Sequence, residues 1–286
     1  MKKSTLALGT MATAILPVGT MALAPAAGAS SAQFYGVQFN ICSWKCTPTS
    51  SGGGGQNSDS TNTNFGINPT NEIWAVIAYQ RFPRFISLNE VCTRGFNNLA
   101  NTLAPYGYSG YLYQAKGGLT SSAGGCQSFG NAVFFKGSGP GAFFFNAGPQ
   151  DPNSTEVRGG ICAPSAGDGG DLWACSTHLA TPVAAQQASA IRGGLDAWLN
   201  NQAGRSNNVL AGDFNATPGS AATGAMTNYT DMISGVAVTY ETNSNHIDYI
   251  WAHVPNLAGP DAMGNVPPWS YSASDHRQIW GSMHIK

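Results

Sequence analysis

The sequence predicts an α/β (α+β) protein built as a layered sandwich, on three observations. Short apolar runs with period-two alternation recur from "QFYGVQFN" near the start to "RQIWGSMHI" at the end. Between them lie a few long stretches with apolar residues at helical spacing, and such a mixture buries its faces by stacking helices on sheets. Third, several of the strand-like runs end in a carboxylate, an imidazole or an amide, which a sheet edge would gather in one place.

Residues 1–29 read as a secretory signal peptide. Lys2 and Lys3 open it, "LALGTMATAILPVGTMALA" is its apolar stretch, and "AGAS" offers cleavage after Ala29, with Ala26 as second choice. A membrane anchor is the competing reading, but Gly9, Pro17 and Gly19 interrupt the run, and a span needs about 20 apolar residues. Residues 30–286 are then expected to form a single domain. Its first strand ends near Asn40. "TSSGGGGQNSDSTNTN" is low-complexity loop; one strand before it cannot make a domain, so the loop is internal. Asn68 and Pro69 open a helix carrying Ile73, Val76 and Ile77. "RFPRFISLNEV" is a strand, and "FNNLANTLAPYGY" a helix with Phe96, Leu99, Ala100 and Leu103 on one face. Strands follow at "YSGYLYQ", "GNAVFFK", "GAFFFNA", "STEVRGGIC" and "DLWACSTHL". Thr181 is expected to cap, and Pro182 to open, a long helix that turns Ile191, Leu195, Trp198 and Leu199 inward. "NNVLAGDF", "NHIDYIWAHV" and "RQIWGSMHI" are the last strands.

Without the leader the chain carries 11 Lys and Arg (13 less Lys2 and Lys3) against 14 Asp and Glu. That balance excludes a protein that holds a polyanion by bulk charge, but not an enzyme that touches a few phosphates. Charged residues make up only 9% of the chain, so each clustered charge is informative. Six cysteines in an exported chain read as three disulfides, with Cys162 and Cys175 on consecutive strands as a candidate pair. Zinc is the alternative, but "CSWKC" has no matching second pair.

The polar strand ends carry the chemistry. In "VLAGDFN" an apolar strand delivers Asp213 and Asn215, which alternation puts on one side with Phe214 on the other. "LNEV" supplies Glu90, "STHL" His178, "HIDYIW" Asp248, "SDH" Asp275 and His276, and "QFN" Asn40. Buried carboxylates are costly unless paired or bound to metal, so these residues are expected to form one cluster. Glu90, Asp213, Asp275 and Asn40 offer hard oxygen atoms, which suit Mg²⁺, Mn²⁺ or Ca²⁺ rather than zinc. Two histidines and a divalent ion are the parts of metal-assisted phosphoester hydrolysis. His246, His253 and His284 read as structural.

"FNI", "LNEV", "GNAVFFK", "EVRGG", "STHL", "AGDFNATP", "HIDYIW" and "SDH", in that order, resemble the endonuclease/exonuclease/phosphatase superfamily and its deoxyribonuclease I-like members, from about Phe39 to His276. The resemblance implies a four-layer sandwich of two mixed β-sheets flanked by helices. It implies that Glu90 is the main metal carboxylate, with Asn40 and Asp275 completing the site. Asp213 would orient or deprotonate the attacking water, Asn215 hold the phosphate or metal, and Asp248 orient His276 against the pentacovalent phosphate. His178 matches a second histidine, Arg158 an arginine that reaches a phosphate, and Asn131 a substrate-side residue; Arg158 pairing with Glu156 is the bland alternative. Arg94 is a candidate for a minor groove. One departure stands out. Where such nucleases carry a glutamate partner for that second histidine, this chain reads "CQSFGN", with no acid. The implied activity is a secreted, monomeric, divalent-metal-dependent endonuclease acting on DNA, with RNA as the alternative substrate and no stable membrane association. A sphingomyelinase-like phospholipase C or another phosphoesterase on the same fold is the rival, and "FFF" at 143–145 is the candidate membrane-inserting segment of the former.

Overall fold

The structure, a computed structural model, describes residues 32–41, 82–117, 128–137, 141–165, 172–200, 207–240, 243–253, 257–265 and 274–285. The chain divides into Met1–Ser30 and Ser31–Lys286, and every described residue belongs to the second unit. The expected leader, the loop and helix between residues 42 and 81, and Cys42, Cys46 and Cys126 lie outside the described residues.

Two six-stranded mixed sheets make the body. The first holds β1 (Ala32–Asn40), β2 (Phe85–Cys92), β3 (Tyr108–Lys116), β4 (Phe129–Lys136), β11 (Leu257–Asn265) and β12 (Ile279–Ile285), in the order β11-β12-β1-β2-β4-β3. The second holds β5 (Phe143–Asn146), β6 (Gly159–Ser165), β7 (Leu172–His178), β8 (Asn208–Asp213), β9 (Thr230–Asp231) and β10 (Asp248–His253), in the order β5-β6-β7-β8-β10-β9. Each sheet has one parallel pair at its centre, β1 with β2 and β7 with β8.

Period-two alternation assigns the faces. The inner faces meet in a core that includes Phe34, Phe85, Val133 and Phe135 from the first sheet and Ile161, Leu172, Ala174, Val209, Ala211 and Ile250 from the second. The outer face of the first sheet buries Val37, Phe39, Ile86 and Leu88 under helix α1 (Thr93–Leu103), which contributes Leu99 and Leu103. The outer face of the second packs Cys175, Leu210 and Trp251 under helix α2 (Ala184–Asn200) through Ala188, Ile191 and Leu195. A shorter helix, α3 (Ala221–Gly224), is capped by the Ser220 side chain. Each fully buried Phe or Leu contributes about 1.5–3 kcal/mol, and three such layers of contact account for a four-layer sandwich.

Three local readings differ from the sequence expectation. Ala180, not Thr181, precedes the long helix, which begins as a single 3₁₀ turn over Thr181–Val183 with Pro182 inside it. Residues 154–158 are not strand; β6 begins only at Gly159. β11 went unrecognised because Gly259, Pro260, Asp261 and Gly264 are poor strand formers. It is tolerated as an edge strand whose register shifts between Ala258 and Ala262, where Pro260 needs no ladder bond. Cys162 and Cys175, directly opposite on β6 and β7, form the expected disulfide, and Cys92 is also disulfide-bonded.

Candidate active site

The site is a continuation of the inter-sheet core. Along β7 the inward residues run Leu172, Ala174, Ser176, His178; along β8 they run Val209, Ala211, Asp213; along β10, Ala252, Ile250, Asp248. On the first sheet β1 runs Phe34, Gly36, Gln38, Asn40, and β2 runs Phe85, Ser87, Asn89. The inner layer therefore passes from apolar through neutral polar to ionisable toward one end, and regular alternation alone places four of the site residues there.

Two residues reach the site only because the backbone leaves that pattern. In β2, alternation would send Glu90 outward with Leu88. Instead the pairing with β4 slips between Leu88 and Val91, and Glu90 adopts φ of 54°. Such a bulge re-aims a side chain, and the left-handed conformation costs about 1–3 kcal/mol. Asn215 lies beyond the end of β8 with φ of 48°. It rejoins Asp213 not by strand alternation, as the sequence suggested, but through a turn in which its N–H donates to Asp213 Oδ1 at 2.8 Å.

The neutral polar shell locks the two sheets together. Ser87 Oγ donates to Gln38 Oε1 at 2.7 Å, Gln38 Nε2 donates to Asn89 Oδ1 at 2.7 Å, and the Asp213 N–H donates to that same oxygen at 2.8 Å. Asn89 Nδ2 donates to Thr177 O at 2.8 Å and to Asn131 Oδ1 at 3.0 Å, while Asn131 Nδ2 donates to Gly159 O at 2.9 Å. Asn131 is thus a buried strut between the sheets, next to the cluster. Gln38, Ser87, Asn89 and Thr239 are the site's supports that sequence reasoning did not assign; for the first three the signal was a polar residue at an inward position of an otherwise apolar strand, while Thr239 lies in a bend outside the strands.

Within this frame His276 Nδ1 pairs with Asp248 Oδ2 at 2.8 Å, and Thr239 Oγ1 accepts the Asp248 N–H at 3.0 Å. His276 Nε2 lies 3.7 Å from Asp213 Oδ2. Asn40 Nδ2 donates to Asp213 Oδ2 at 3.1 Å and to Glu90 Oε1 at 3.4 Å. His178 Nε2 lies 3.0 Å from Asn215 Nδ2 and 3.4 Å from Asp213 Oδ2, and its Nδ1 lies 4.0 Å from Glu90 Oε1. Asn40, Glu90, His178, Asp213, Asn215, Asp248 and His276 are therefore one cluster. Asp275 is half-buried beside His276 and adds to the negative field on it.

The charges follow from burial and neighbours. Burial opposes a charge on His276, but Asp248, then Asp213 and Asp275, overcome it and push the imidazolium up to about 10. Burial, then Asp248, raises Asp213 to about 7, against the opposing pull of His276. Burial raises Glu90, with His276, Asn40 and Arg158 pulling it back. Burial, then the positive charges of Arg158 and His276, push His178 well below the ordinary histidine range. Arg158 is close enough to act on both Glu90 and His178, yet its guanidinium is paired with Glu156 at 2.7 Å. The pairing with Glu156 is therefore observed, at a place that borders the cluster. Arg94 is exposed in the first turn of α1. The residues read as structural lie apart from the cluster: His284 Nδ1 pairs with Asp261 at 2.5 Å, and His246 Nδ1 sits 2.6 Å from Val236 O.

The donor set fits a divalent ion. Three carboxylates, Glu90, Asp213 and Asp248, meet in a cluster whose nearby positive groups are His276 and the Glu156-paired Arg158. Asp213, Asp248 and His276 each offer an atom within 4.8 Å of the others, but Asp248 Oδ2 and His276 Nδ1 are already joined at 2.8 Å. The half-buried Glu90, whose side chain accepts a long 3.4 Å bond from Asn40 Nδ2, is better placed to take a hard cation.

Two mixed sheets carrying such a cluster at one end define an acid- and histidine-based phosphoester centre of the deoxyribonuclease I-like kind. The chain belongs to the endonuclease/exonuclease/phosphatase family, whose model matches residues 60–276. Members of this family are hydrolytic phosphoesterases, typically dependent on divalent metals. The chain is similar in structure to the human nocturnin catalytic domain with bound sulfate (16% identity, 89% of this chain and 95% of that one, TM-score 0.66). It is likewise similar to an endonuclease/exonuclease/phosphatase protein from Beutenbergia cavernae (20% identity, 88% and 72%, TM-score 0.62). D. rerio TDP2 complexed with a single-strand DNA product also matches (13% identity, 88% and 98%, TM-score 0.58). No curated protein matches in sequence comparison. At these identities the likeness speaks for the fold.

Proposed function

We propose that the chain is a secreted, divalent-metal-dependent endonuclease that hydrolyses DNA phosphodiesters with little sequence specificity. The observation that carries this reading is the split of ionisation within one cluster: Asp213 poised near 7 beside a His276 held cationic by Asp248. A base near the working pH and a fixed positive charge are what attack of water on a phosphodiester needs. Asp213 orients the water and takes its proton. His276, with Nε2 facing the Asp213 side, stabilises the charge that develops on the phosphoryl oxygens. Glu90, Asn40 and Asp275 would hold the ion, which when bound supplies Lewis-acid neutralisation of the phosphate and leaving oxygen. Arg158 exchanges Glu156 for a phosphate oxygen. The water oxygen bonds to phosphorus as its proton passes to Asp213, the P–O3′ bond breaks, and O3′ takes a proton from solvent, leaving a 5′-phosphate and a 3′-hydroxyl. Neighbouring folds support a nucleic-acid substrate, since one is recorded with a single-strand DNA product. The signal-peptide reading of residues 1–29 and the disulfides support export.

The phospholipase reading is supported by one feature, Phe144, which is 52% exposed. It is weakened by its neighbours: Phe143 stacks on Trp198 and Phe145 packs against the same layer, so "FFF" does not present three rings to a bilayer. The experiment is nicking of supercoiled plasmid with Mg²⁺, Mn²⁺, Ca²⁺ or EDTA, beside His276→Ala. Metal-dependent nicking lost in the variant supports the nuclease; intact plasmid with every ion, and phosphocholine released from sphingomyelin vesicles, moves the assignment to the lipid.

A further inference from the structure

Among the described residues, Asn215 Nδ2 approaches His178 Nε2 at 3.0 Å, nearer than the carboxylate of Asp213 at 3.4 Å or, on the other ring nitrogen, that of Glu90 at 4.0 Å. The hydrogen-bond geometry at that amide is over-determined. Asn215 Nδ2 lies 2.9 Å from Leu179 O and 3.0 Å from His178 Nε2. Leu179 O is a carbonyl and can only accept, so the amide must present its NH₂ group at this corner rather than its oxygen. One N–H goes to Leu179; the other points at the imidazole. A nitrogen that receives an N–H must offer a lone pair, which leaves the ring's single proton on Nδ1. The rest of the surroundings agree. Asn131 is spent on Asn89 and Gly159 O. Asp213 Oδ2, 3.4 Å from Nε2, already accepts from Asn40 Nδ2 at 3.1 Å, and the His276 ring lies 3.7 Å away on its other side. Asn215 is itself anchored by its N–H on Asp213 Oδ1 at 2.8 Å and by a left-handed φ of 48°, which asparagine tolerates.

We propose that Asn215 is a positioning residue that fixes His178 as the Nδ1–H tautomer, so that His178 is a neutral hydrogen-bond donor on the Glu90 side of the cleft and not a group that gives up or takes a proton. Nδ1, 4.0 Å from Glu90 Oε1, is the ring atom on that side. In an ordinary acid–histidine pair the carboxylate accepts from the ring and raises its proton affinity; here an amide donates to the ring and does the reverse. The catalytic consequence rests on the phosphodiesterase reading. The tautomer does not.

The test is long-range ¹H–¹⁵N correlation on the ¹⁵N-labelled protein at pH 7, with His178 identified by the signals lost in His178→Gln. The expected result is a protonated, pyrrole-type Nδ1 and an unprotonated, pyridine-type Nε2. Asn215→Asp keeps the shape and the left-handed backbone but turns a donor into an acceptor; it is expected to move the ring proton to Nε2 or to hold the imidazolium, and to lower kcat by about 10²-fold through misorientation with KM little changed. An Nε2–H ring or an imidazolium in the unmutated protein overturns the proposal. So does an Nδ1–H ring that persists in a folded Asn215→Asp. If the protein cleaves no plasmid while the Nδ1–H signature is present, the DNA-nuclease reading fails and the tautomer assignment stands.

Discussion

Asp248→Asn removes one oxygen atom's charge and leaves the shape of the site. His276 sits at about 10 against an ordinary 6.5, with Asp248 the largest of the raising influences. At about 1.36 kcal/mol per pH unit this is on the order of 5 kcal/mol of preference for the imidazolium. The new amide has its orientation chosen for it. Gln38 Nε2, 3.4 Å from Asp248 Oδ1, calls for an acceptor there, so the amide nitrogen faces His276 Nδ1. The ring then loses its charge and carries its proton on the wrong nitrogen. The sign for the unmutated enzyme is that Asp213 must lose its proton, so activity rises through about pH 7, and His276 must keep its proton, so activity falls through about pH 10. The assay is the initial rate of plasmid nicking from pH 5 to 10 at saturating Mg²⁺. In Asp248→Asn the alkaline limb should move below neutrality, and kcat at pH 8 should fall about 10²–10³-fold, the effect of losing one preorganised stabiliser of transition-state charge. An Asp248→Asn enzyme that keeps its alkaline limb near 10, or more than a tenth of its rate at pH 8, refutes the assignment of His276 as the fixed cation.

Glu90→Gln should weaken Mg²⁺ binding at least tenfold by calorimetry and depress nicking about 10²-fold, with partial recovery at high Mg²⁺. Asp213 binds its proton more tightly folded than unfolded, so without metal the stability it supports is present at low pH and is lost as pH rises from about 4 to 7. Asp213→Asn should therefore raise the metal-free Tm at pH 8 relative to the unmutated protein and leave it nearly unchanged at pH 4, by scanning calorimetry. The double substitution Cys162→Ser with Cys175→Ser opens a link 13 residues apart and should lower urea stability by about 3 kcal/mol, with kcat unaffected because the pair lies on the outer face of the second sheet.

The parts of this molecule that follow a period were legible in the sequence. Val209, Ala211 and Asp213, or Leu172, Ala174, Ser176 and His178, announce both a buried face and the end of it, so the layers and most of the cluster could be read from alternation. The exceptions are local breaks in the pattern. Alternation puts Glu90 on the outer face, and only the slipped pairing with β4 brings it in; its place in the site was read from its position at a polar strand end and from family resemblance, not from alternation. Asn215 was expected on the right side for the wrong reason, since the chain has left the strand by then. Glu156 and Arg158 were read as strand neighbours and are an ion-paired loop just before β6. β11 was missed because Pro260 and its glycines argue against a strand everywhere except at an edge. The bonds Asn131 makes with Gly159 and Asn89 depend on β6 and β2, far away along the chain, and no local signal in the sequence gives them.

The polar shell of Gln38, Ser87 and Asn89 has a consequence for the order of events in folding. Asn40 and Glu90 belong to one sheet, His178, Asp213 and Asp248 to the other, and their contacts run through Asn40 to Asp213, Asn89 to Thr177 and Gln38 to Asp248. A chain that had formed both sheets but not yet closed them on each other would have nearly all its secondary structure and none of its reaction centre. The return of catalysis after dilution from denaturant therefore times the last step of assembly, the expulsion of water from between the sheets, separately from the ellipticity that times the first.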